Sequence, residues 1–238
     1  MSSATIAKPI TTDTHRYERK FDNTTASLTQ VELIVRLHPA HFREAYPPRE
    51  INNIYFDTPS LASFTDHVMG AAHRSKLRLR WYGAECGTMA KPVLEVKNKD
   101  GHVGTKEQYT LAPCEFNGTI DETHLKRAAV ETGLPSRVSE RLASSTPALL
   151  NRYARRYYVS ADGRFRITID SELSFRVINN RHHGYRSSYT DRRLIIVELK
   201  YAADHDEDAR DVGGGLPFRV SKLSKYVQGL VCLGRFEP

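Results

Sequence analysis

The chain has 238 residues, enough to bury a core, and its 35 Lys+Arg against 28 Asp+Glu give a net charge of +7. That balance favours polyanionic partners such as nucleic acid, anionic lipid or phosphate compounds and is silent on fold. Cys86, Cys114 and Cys232 are odd in number and show no CxxC or Cys/His zinc spacing, which argues against a disulfide framework or structural zinc and for a reduced, cytoplasmic setting.

Residues 1–14 are polar and Thr-rich without an apolar h-region, so a disordered tail is expected and a signal peptide is not. No run approaches the roughly 18 apolar residues of a spanning helix. Residues 15–238 then read as a single domain. Residues 17–21 suggest a first strand, and 28–38 have helical apolar spacing up to Pro39. A strand is predicted at 51–57, a helix at 60–68 and a strongly basic strand at 74–82. Strands at 92–98 and 103–111 are joined through Lys99-Asp100-Gly101, a hairpin signal. Residues 119–149 read as two helices broken near Gly133 and Pro135. Further strands are predicted at 152–159, 164–170, 172–178 and 192–200, with Asp162-Gly163 as a turn. Residues 203–215, acidic and then glycine-rich, read as a mobile loop, and 219–232 as a closing helix.

Side chains alternate across a strand. In the basic strand Arg74, Lys76, Arg78 and Arg80 therefore share one face, and Ser75, Leu77, Leu79 and Trp81 the other. The same division recurs: Glu95 and Lys97 against Leu94 and Val96; Arg164, Arg166, Thr168 and Asp170 against Phe165, Ile167 and Ile169; Glu198 and Lys200 against Val197 and Leu199; Tyr153, Arg155 and Tyr157 against Arg152, Ala154 and Arg156. A solvent face would carry a Lys/Glu/Thr mixture; this one is rich in Arg with interspersed Glu. It suits an inverted arrangement, with charged faces lining a bore and apolar faces covered by helices outside. Such an interior is stable only if it is wet or holds a polyanion, and Arg forks match phosphate oxygens. The fold class expected from the residues is α+β, built on an antiparallel β-barrel or strongly curved sheet with helices packed outside. Two other features carry less. His182-His183 has no spaced third ligand, and Gly213-Gly214-Gly215 lacks the Lys-Ser/Thr context of a P-loop.

The series YERKF (17–21), NIYFDT (53–58), KLRLRWYG (76–83), LEVKNKDG (94–101), TKEQY (105–109), YARRYY (153–158), FRITID (165–170), VELKY (197–201) and SKLSKYVQGL (221–230) resembles the VTC domain, the catalytic domain of polyphosphate polymerase, within the triphosphate tunnel metalloenzymes. The resemblance spans about residues 16–231. It implies an eight-stranded antiparallel β-barrel tunnel with a charged interior that binds ATP and inorganic polyphosphate with a divalent metal, Mn²⁺ or Mg²⁺. No nucleic acid is expected as a partner, because the aromatic residues are not interleaved on an exposed sheet as RNA readers need. By motif, Lys20 matches a phosphate-binding lysine, Arg78 and Arg80 the paired tunnel arginines, and Lys97 and Lys106 lysines of the next two strands. Tyr153 and Arg155 form the Tyr-x-Arg motif, and Arg166 belongs to the FRIT motif. Glu198 matches the metal-binding glutamate. Lys222 and Lys225, one turn apart on the last helix, match lysines that close over the phosphate chain; Lys200 and Glu95 face the tunnel by parity. Arg78, Arg80, Arg155, Arg166 and Lys225 are the catalytic candidates, and Lys20, Lys97, Lys106, Lys200, Lys222 and Tyr153 the substrate-binding ones.

One departure bears on activity. Hydrolytic relatives carry ExExK on the first strand, whereas this chain has Arg16-Tyr-Glu18-Arg-Lys20. Losing the first acid shifts weight from water activation towards phosphoryl transfer. ATP-dependent polyphosphate synthesis is thus the leading expectation. Tripolyphosphate or triphosphate hydrolysis and a non-catalytic polyphosphate-binding module are the alternatives. The resemblance includes neither an SPX domain nor membrane helices, which suggests a free-standing catalytic domain with a membrane protein as a conceivable partner.

Overall fold

The computed structural model describes residues 16–101, 103–118, 121–178 and 185–234. The expected tail at 1–14 and the His182-His183 pair lie outside the described residues. In chain order the elements are β1 (Arg16–Asn23), α1 (Leu28–Leu37), β2 (Arg43–Asp57), α2 (Ala62–Val68), β3 (His73–Tyr82), β4 (Gly87–Met89), β5 (Val93–Asp100), β6 (Val103–Thr110), β7 (Cys114–Phe116), α3 (Glu122–Glu131), α4 (Ser136–Ala143), β8 (Thr146–Val159), β9 (Arg166–Ile178), β10 (Tyr185–Asp191), β11 (Ile195–Ala202), a 3₁₀ turn (Ala203–His205), α5 (Asp208–Gly214), β12 (Arg219–Ser221) and α6 (Lys225–Cys232).

One antiparallel sheet runs β12-β1-β11-β9-β8-β2-β3-β5-β6, with β10 paired to β9; β4 and β7 form a separate pair. Eight of its strands are long, and they curl around a bore. Among the described residues the two ends of this path share no backbone ladder. They face each other through side chains: the charge of Glu18 on β1 acts on Lys97 of β5, and that of Lys20 acts on Lys76 of β3.

Three apolar clusters explain the curl. Outside, Leu77, Leu79, Trp81, Leu94 and Val96 pack beneath α3 and α4 through Leu125, Ala128, Val138 and Leu142. On the opposite outer wall Phe165, Ile167, Ile169, Val197 and Leu199 take Val31 and Val35 of α1 and Ala209 of α5. Helix α1 starts on a full capping box: Ser27 accepts from the Gln30 backbone N–H, and the Gln30 side chain accepts from that of Ser27. The third cluster lies on the concave side. Tyr226 and Leu230 of α6 pack on Ile51, Tyr55, Leu149, Tyr153 and Phe175, so α6 sits within the curve while α1, α3 and α4 cover the outside. Gly229 permits this approach, because a Cβ there would stand 2.5 Å from Phe175 and 2.6 Å from Leu149. Asp57 pins both concave helices: its carboxylate accepts from the Ser63 and Phe64 backbone N–H groups at 2.9 and 3.0 Å and from the Tyr226 hydroxyl at 2.5 Å.

Several local expectations change. The predicted strand at 51–57 begins at Arg43, despite Pro47-Pro48, because that half of β2 pairs only with β8 and its other edge is open. Strand β8 starts at Thr146, inside the predicted helical stretch. Leu149 enters the concave cluster and Leu150 the outer one, and an apolar run buried on both faces has no period to read. The strands predicted at 164–170 and 172–178 are one strand, bent by a bulge where Glu172 takes φ 55° and the pairing to β8 shifts. The stretch predicted at 192–200 is β11, preceded by β10.

Residues 203–215 are helical rather than a mobile loop. Asp206 accepts from the Arg19 guanidinium at 3.0 Å and the Tyr201 hydroxyl at 2.8 Å, and Gly213 lies where a Cβ would touch Phe21. The closing helix begins only at Lys225, so Lys222 lies before it, in the link from β12. No helix among the described residues is long and apolar enough to cross a membrane.

A cation-lined bore as candidate active site

Charge parity in the strands fixes what lines the bore. Arg78, Arg80, Arg155, Lys225, Lys20, Lys97, Lys106, Lys200, Tyr153 and Glu198 project into it, organised by two carboxylate hubs.

The first hub is Glu95 on β5, only 1% exposed. It accepts from the Arg78 Nε at 2.6 Å and Gln108 at 2.8 Å, and it pairs with the Lys106 ammonium at 2.6 Å and Arg80 at 3.5 Å. Burial alone would raise its pKa, but Arg78, Arg80 and Lys106 outweigh burial and hold the carboxyl far below the carboxylate range. Arg80 also donates to Asn53 at 2.9 Å and Arg78 to the Tyr55 hydroxyl at 3.3 Å. Both guanidiniums are thus aimed before any ligand arrives.

The second hub joins Asp170 of β9 and Glu198 of β11. Arg155 forks onto Asp170 at 2.5 and 2.6 Å and reaches Glu198 at 3.3 Å. The Lys225 ammonium lies 2.6 Å from Asp170, 3.6 Å from Glu198 and 4.9 Å from the centre of the Tyr153 ring. Lys200 sits 2.7 Å and Lys20 3.9 Å from Glu198. Burial opposes ionisation of Glu198, but Lys200, Lys225, Arg155 and Lys20 reverse it and keep the carboxyl well below its ordinary range. Burial likewise opposes ionisation of the Tyr153 phenol, yet Arg155, Arg80 and Lys225 bring its pKa below the usual tyrosine value.

Glu18, retained on β1, also faces the bore. Burial and the neighbouring Glu198 work against its charge, but Lys20, Lys97 and Lys200 hold its carboxyl at about 2. Glu18 and Glu198 are therefore two ionised carboxylates in mutual electrostatic contact. Glu18 shares strand parity with Lys20, a signal present in the sequence that the site assignments left unused.

Not every cation has a counterion. Among the described residues Lys97 makes no ion pair, and Lys76 donates only to Ser224 Oγ at 2.7 Å. Burial, then Lys20, Lys97 and Arg78, press the Lys76 ammonium down to about 7. Glu18 is the largest influence on Lys97 and supports its charge, but burial together with Lys20 and Arg78 prevails and lowers its pKa. Lys97 lies deep among the strands yet stays open to solvent, as a side chain in a wet channel does. Lys106 falls to about 8, through burial first and in spite of Glu95. These ammoniums are charges waiting for an anion.

Two candidates stand apart. Arg166 is exposed where β9 begins, level with Lys200, and no ion pair reaches it among the described residues. Lys222 is exposed, and its charge is felt by Lys99 of β5. There Arg74 and Lys99 border a cavity of about 780 Å³ that Ser75, Asn98 and Arg141 also line.

A pH dependence follows. Metal-free affinity for tripolyphosphate is expected to weaken as pH rises from about 6 to 8, because Lys76 loses its proton across that interval. Calorimetry of wild type against Lys76→Met checks this, and the variant should show a flatter slope. Stability of the ligand-free protein has the opposite sign. The folded value of about 7 lies below the unfolded 10.5, so between them the unfolded chain binds more protons and stability rises with pH.

The family model described as VTC domain matches residues 15–234. Among solved structures, HpAC1 from Hippeastrum, described as a proposed adenylyl cyclase with a dominant triphosphatase activity, aligns at a TM-score of 0.50 and 16% identity, over 93% of this chain and 98% of its own. A proposed adenylate cyclase from Vibrio parahaemolyticus aligns at 0.49 and 12% identity, over 89% and 97%. No curated protein matches the chain. At such identity the first likeness shows the fold alone, a curved antiparallel sheet with helices packed on it.

Proposed function

The chain belongs to the VTC-domain family, and from that premise we propose that it transfers the γ-phosphoryl group of ATP to the end of an inorganic polyphosphate chain held in the bore. The observation that carries this reading is a row of cations that make no ion pair among the described residues. Lys76 and Lys97, with Arg74 and Lys99 beyond them, extend past the two carboxylate hubs along the bore, a length suited to an extended polyanion.

In this reaction a terminal phosphate oxygen of the polymer attacks the γ-phosphorus, the bond to the β,γ-bridging oxygen breaks, and ADP leaves with that electron pair. No Ser, Cys or His nucleophile is required. The protein positions the groups and stabilises charge. Arg78 and Arg80, locked by Glu95, orient the transferring group; Arg155 and Lys225, held by Asp170, face the charge that develops on the leaving oxygen.

The residues fit a hard divalent cation. Among the described residues no three His, Cys, Asp or Glu converge into a closed cage, but Mg²⁺ and Mn²⁺ commonly take one or two carboxylates plus phosphate oxygens and water. Glu198 and Glu18 would hold it. When bound, the metal would supply charge neutralisation to the phosphate groups.

A second reading, hydrolysis of tripolyphosphate, is favoured by the ionised Glu18–Glu198 pair and by the activity described for HpAC1. Against it, position 16, on the same strand face as Glu18, is arginine. Incubating the purified protein with ATP and Mn²⁺, and in parallel with tripolyphosphate, decides between them by gel and phosphorus NMR. Long-chain polyphosphate with ADP is the expected result. Orthophosphate from tripolyphosphate without polymer would establish the hydrolase, and neither product would remove both readings.

A further inference from the structure

One end of the bore differs chemically from the other. Where Arg74, Lys76, Lys97 and Lys99 stand, cations dominate the lining, with Glu18 acting on Lys97 and Asp66 and Asp100 at the cavity beyond. At the other end, beyond Arg80 and Arg155, it turns aromatic. Tyr82 follows Arg80 by two residues on β3, and Tyr157 follows Arg155 by two on β8, so both keep the bore-facing parity. Arg49 of β2 lies opposite Arg155 in the ladder, and Tyr46 opposite Tyr157, which places them on the same face.

These four side chains form a frame. The Arg49 guanidinium carbon is 5.6 Å from the ring centre of Tyr46 and 5.8 Å from those of Tyr82 and Tyr157. Tyr46 and Tyr157 meet edge to face at 5.8 Å. Core packing does not account for the arrangement, since Tyr46 is 57% and Tyr82 49% exposed. Ion pairing does not account for it either. Among the described residues no carboxylate pairs with Arg49; the adjacent Glu50 turns to Arg152 at 3.1 Å, and Glu44 to Arg36 at 3.5 Å. The rings steady the guanidinium plane while its donors stay open.

We infer that this mouth seats a nucleobase, so that a nucleoside triphosphate threads its phosphates inward from the aromatic end while the polyphosphate occupies the lysine end. The inference rests on the reading of the bore as a phosphate channel given above. A wholly inorganic substrate has nothing to stack on tyrosine, whereas any base has a π-face, and aromatic stacking accepts all bases. The spacing agrees: two strand residues, about 6.6 Å, separate the aromatic level from Arg80 and Arg155, so a base at the rim and its ribose stay outside the level of the phosphate-binding arginines. The two ends would thus deliver donor and acceptor from opposite sides, the geometry an in-line displacement needs.

The test compares ligands with and without a base. Binding of ATP and of tripolyphosphate is measured by calorimetry in EDTA, which suppresses turnover, for the wild type, Tyr46→Ala/Tyr82→Ala and Arg49→Met. The double variant is expected to weaken ATP about 5- to 100-fold and to leave tripolyphosphate within about twofold, with Arg49→Met moving in the same direction by less. In the wild type, saturating the tyrosine ring protons should transfer magnetisation to the adenine protons of bound ATP, a readout that does not depend on how the variants fold. Equal losses for both ligands, unchanged ATP binding, or absent transfer to adenine would overturn the inference and leave the phosphate channel standing. Failure of the wild type to bind either ligand would overturn the channel reading and this inference with it.

Discussion

Arg155→Ala should abolish turnover and destabilise the fold together. Arg155 forks onto Asp170 while also touching Glu198, and Asp170 is fully buried. Without the guanidinium the Asp170 carboxylate keeps, among the described residues, Lys225 as its one ionic partner within 4 Å. Removing one member of a buried pair costs about 3–5 kcal/mol, which differential scanning calorimetry would register. An arginine that acts on transition-state charge contributes about 10³ or more to rate, so turnover should fall at least that far. Arg155→Met combined with Asp170→Leu separates the effects, because a hydrophobic replacement of both partners can restore stability while the phosphate-facing charge remains absent. If that double variant recovered activity as well as stability, Arg155 would be a structural residue only.

Glu198→Gln is the second large effect, and its direction differs between binding and turnover. The amide keeps the shape and removes a charge that now neutralises part of Lys200, Lys225, Arg155 and Lys20. The bore becomes more positive, so metal-free tripolyphosphate binding should hold or tighten. Metal-dependent turnover should fall about 10²- to 10³-fold, the scale of several kcal/mol that a bound metal lends to phosphoryl transfer. Titrating Mn²⁺ against rate checks the assignment: wild-type turnover with an unchanged half-saturating Mn²⁺ concentration would remove Glu198 from the metal site. Glu18→Gln should act in the same direction, because Glu18 shares the Glu198 neighbourhood.

Both expectations concern residues that strand parity had already placed. The alternation in KLRLRW, LEVK and VELK is local and survives without knowledge of partners, so the charged face was readable residue by residue. Motif order then identified the tunnel. Lys222 was misplaced because SKLSKYVQGL has no breaker before Gly229, and nothing local marks that residues 219–221 add to the edge of β1 and delay the helix to Lys225.

By itself, the sequence determined which side chains share a strand face, where the hairpins turn, and the family to which those strands belong. These follow from a period of two and from turn residues, both properties of neighbours along the chain. Only the tertiary structure decided that α6 lies inside the curve, that Glu95 and the Asp170–Glu198 pair each gather several cations, that Lys76 and Lys97 form no ion pair among the described residues, and that Arg49 is framed by three tyrosines. Each of these depends on groups far apart in the chain meeting at low dielectric. Burial and pairing energies there are set by position in space, which no local pattern encodes.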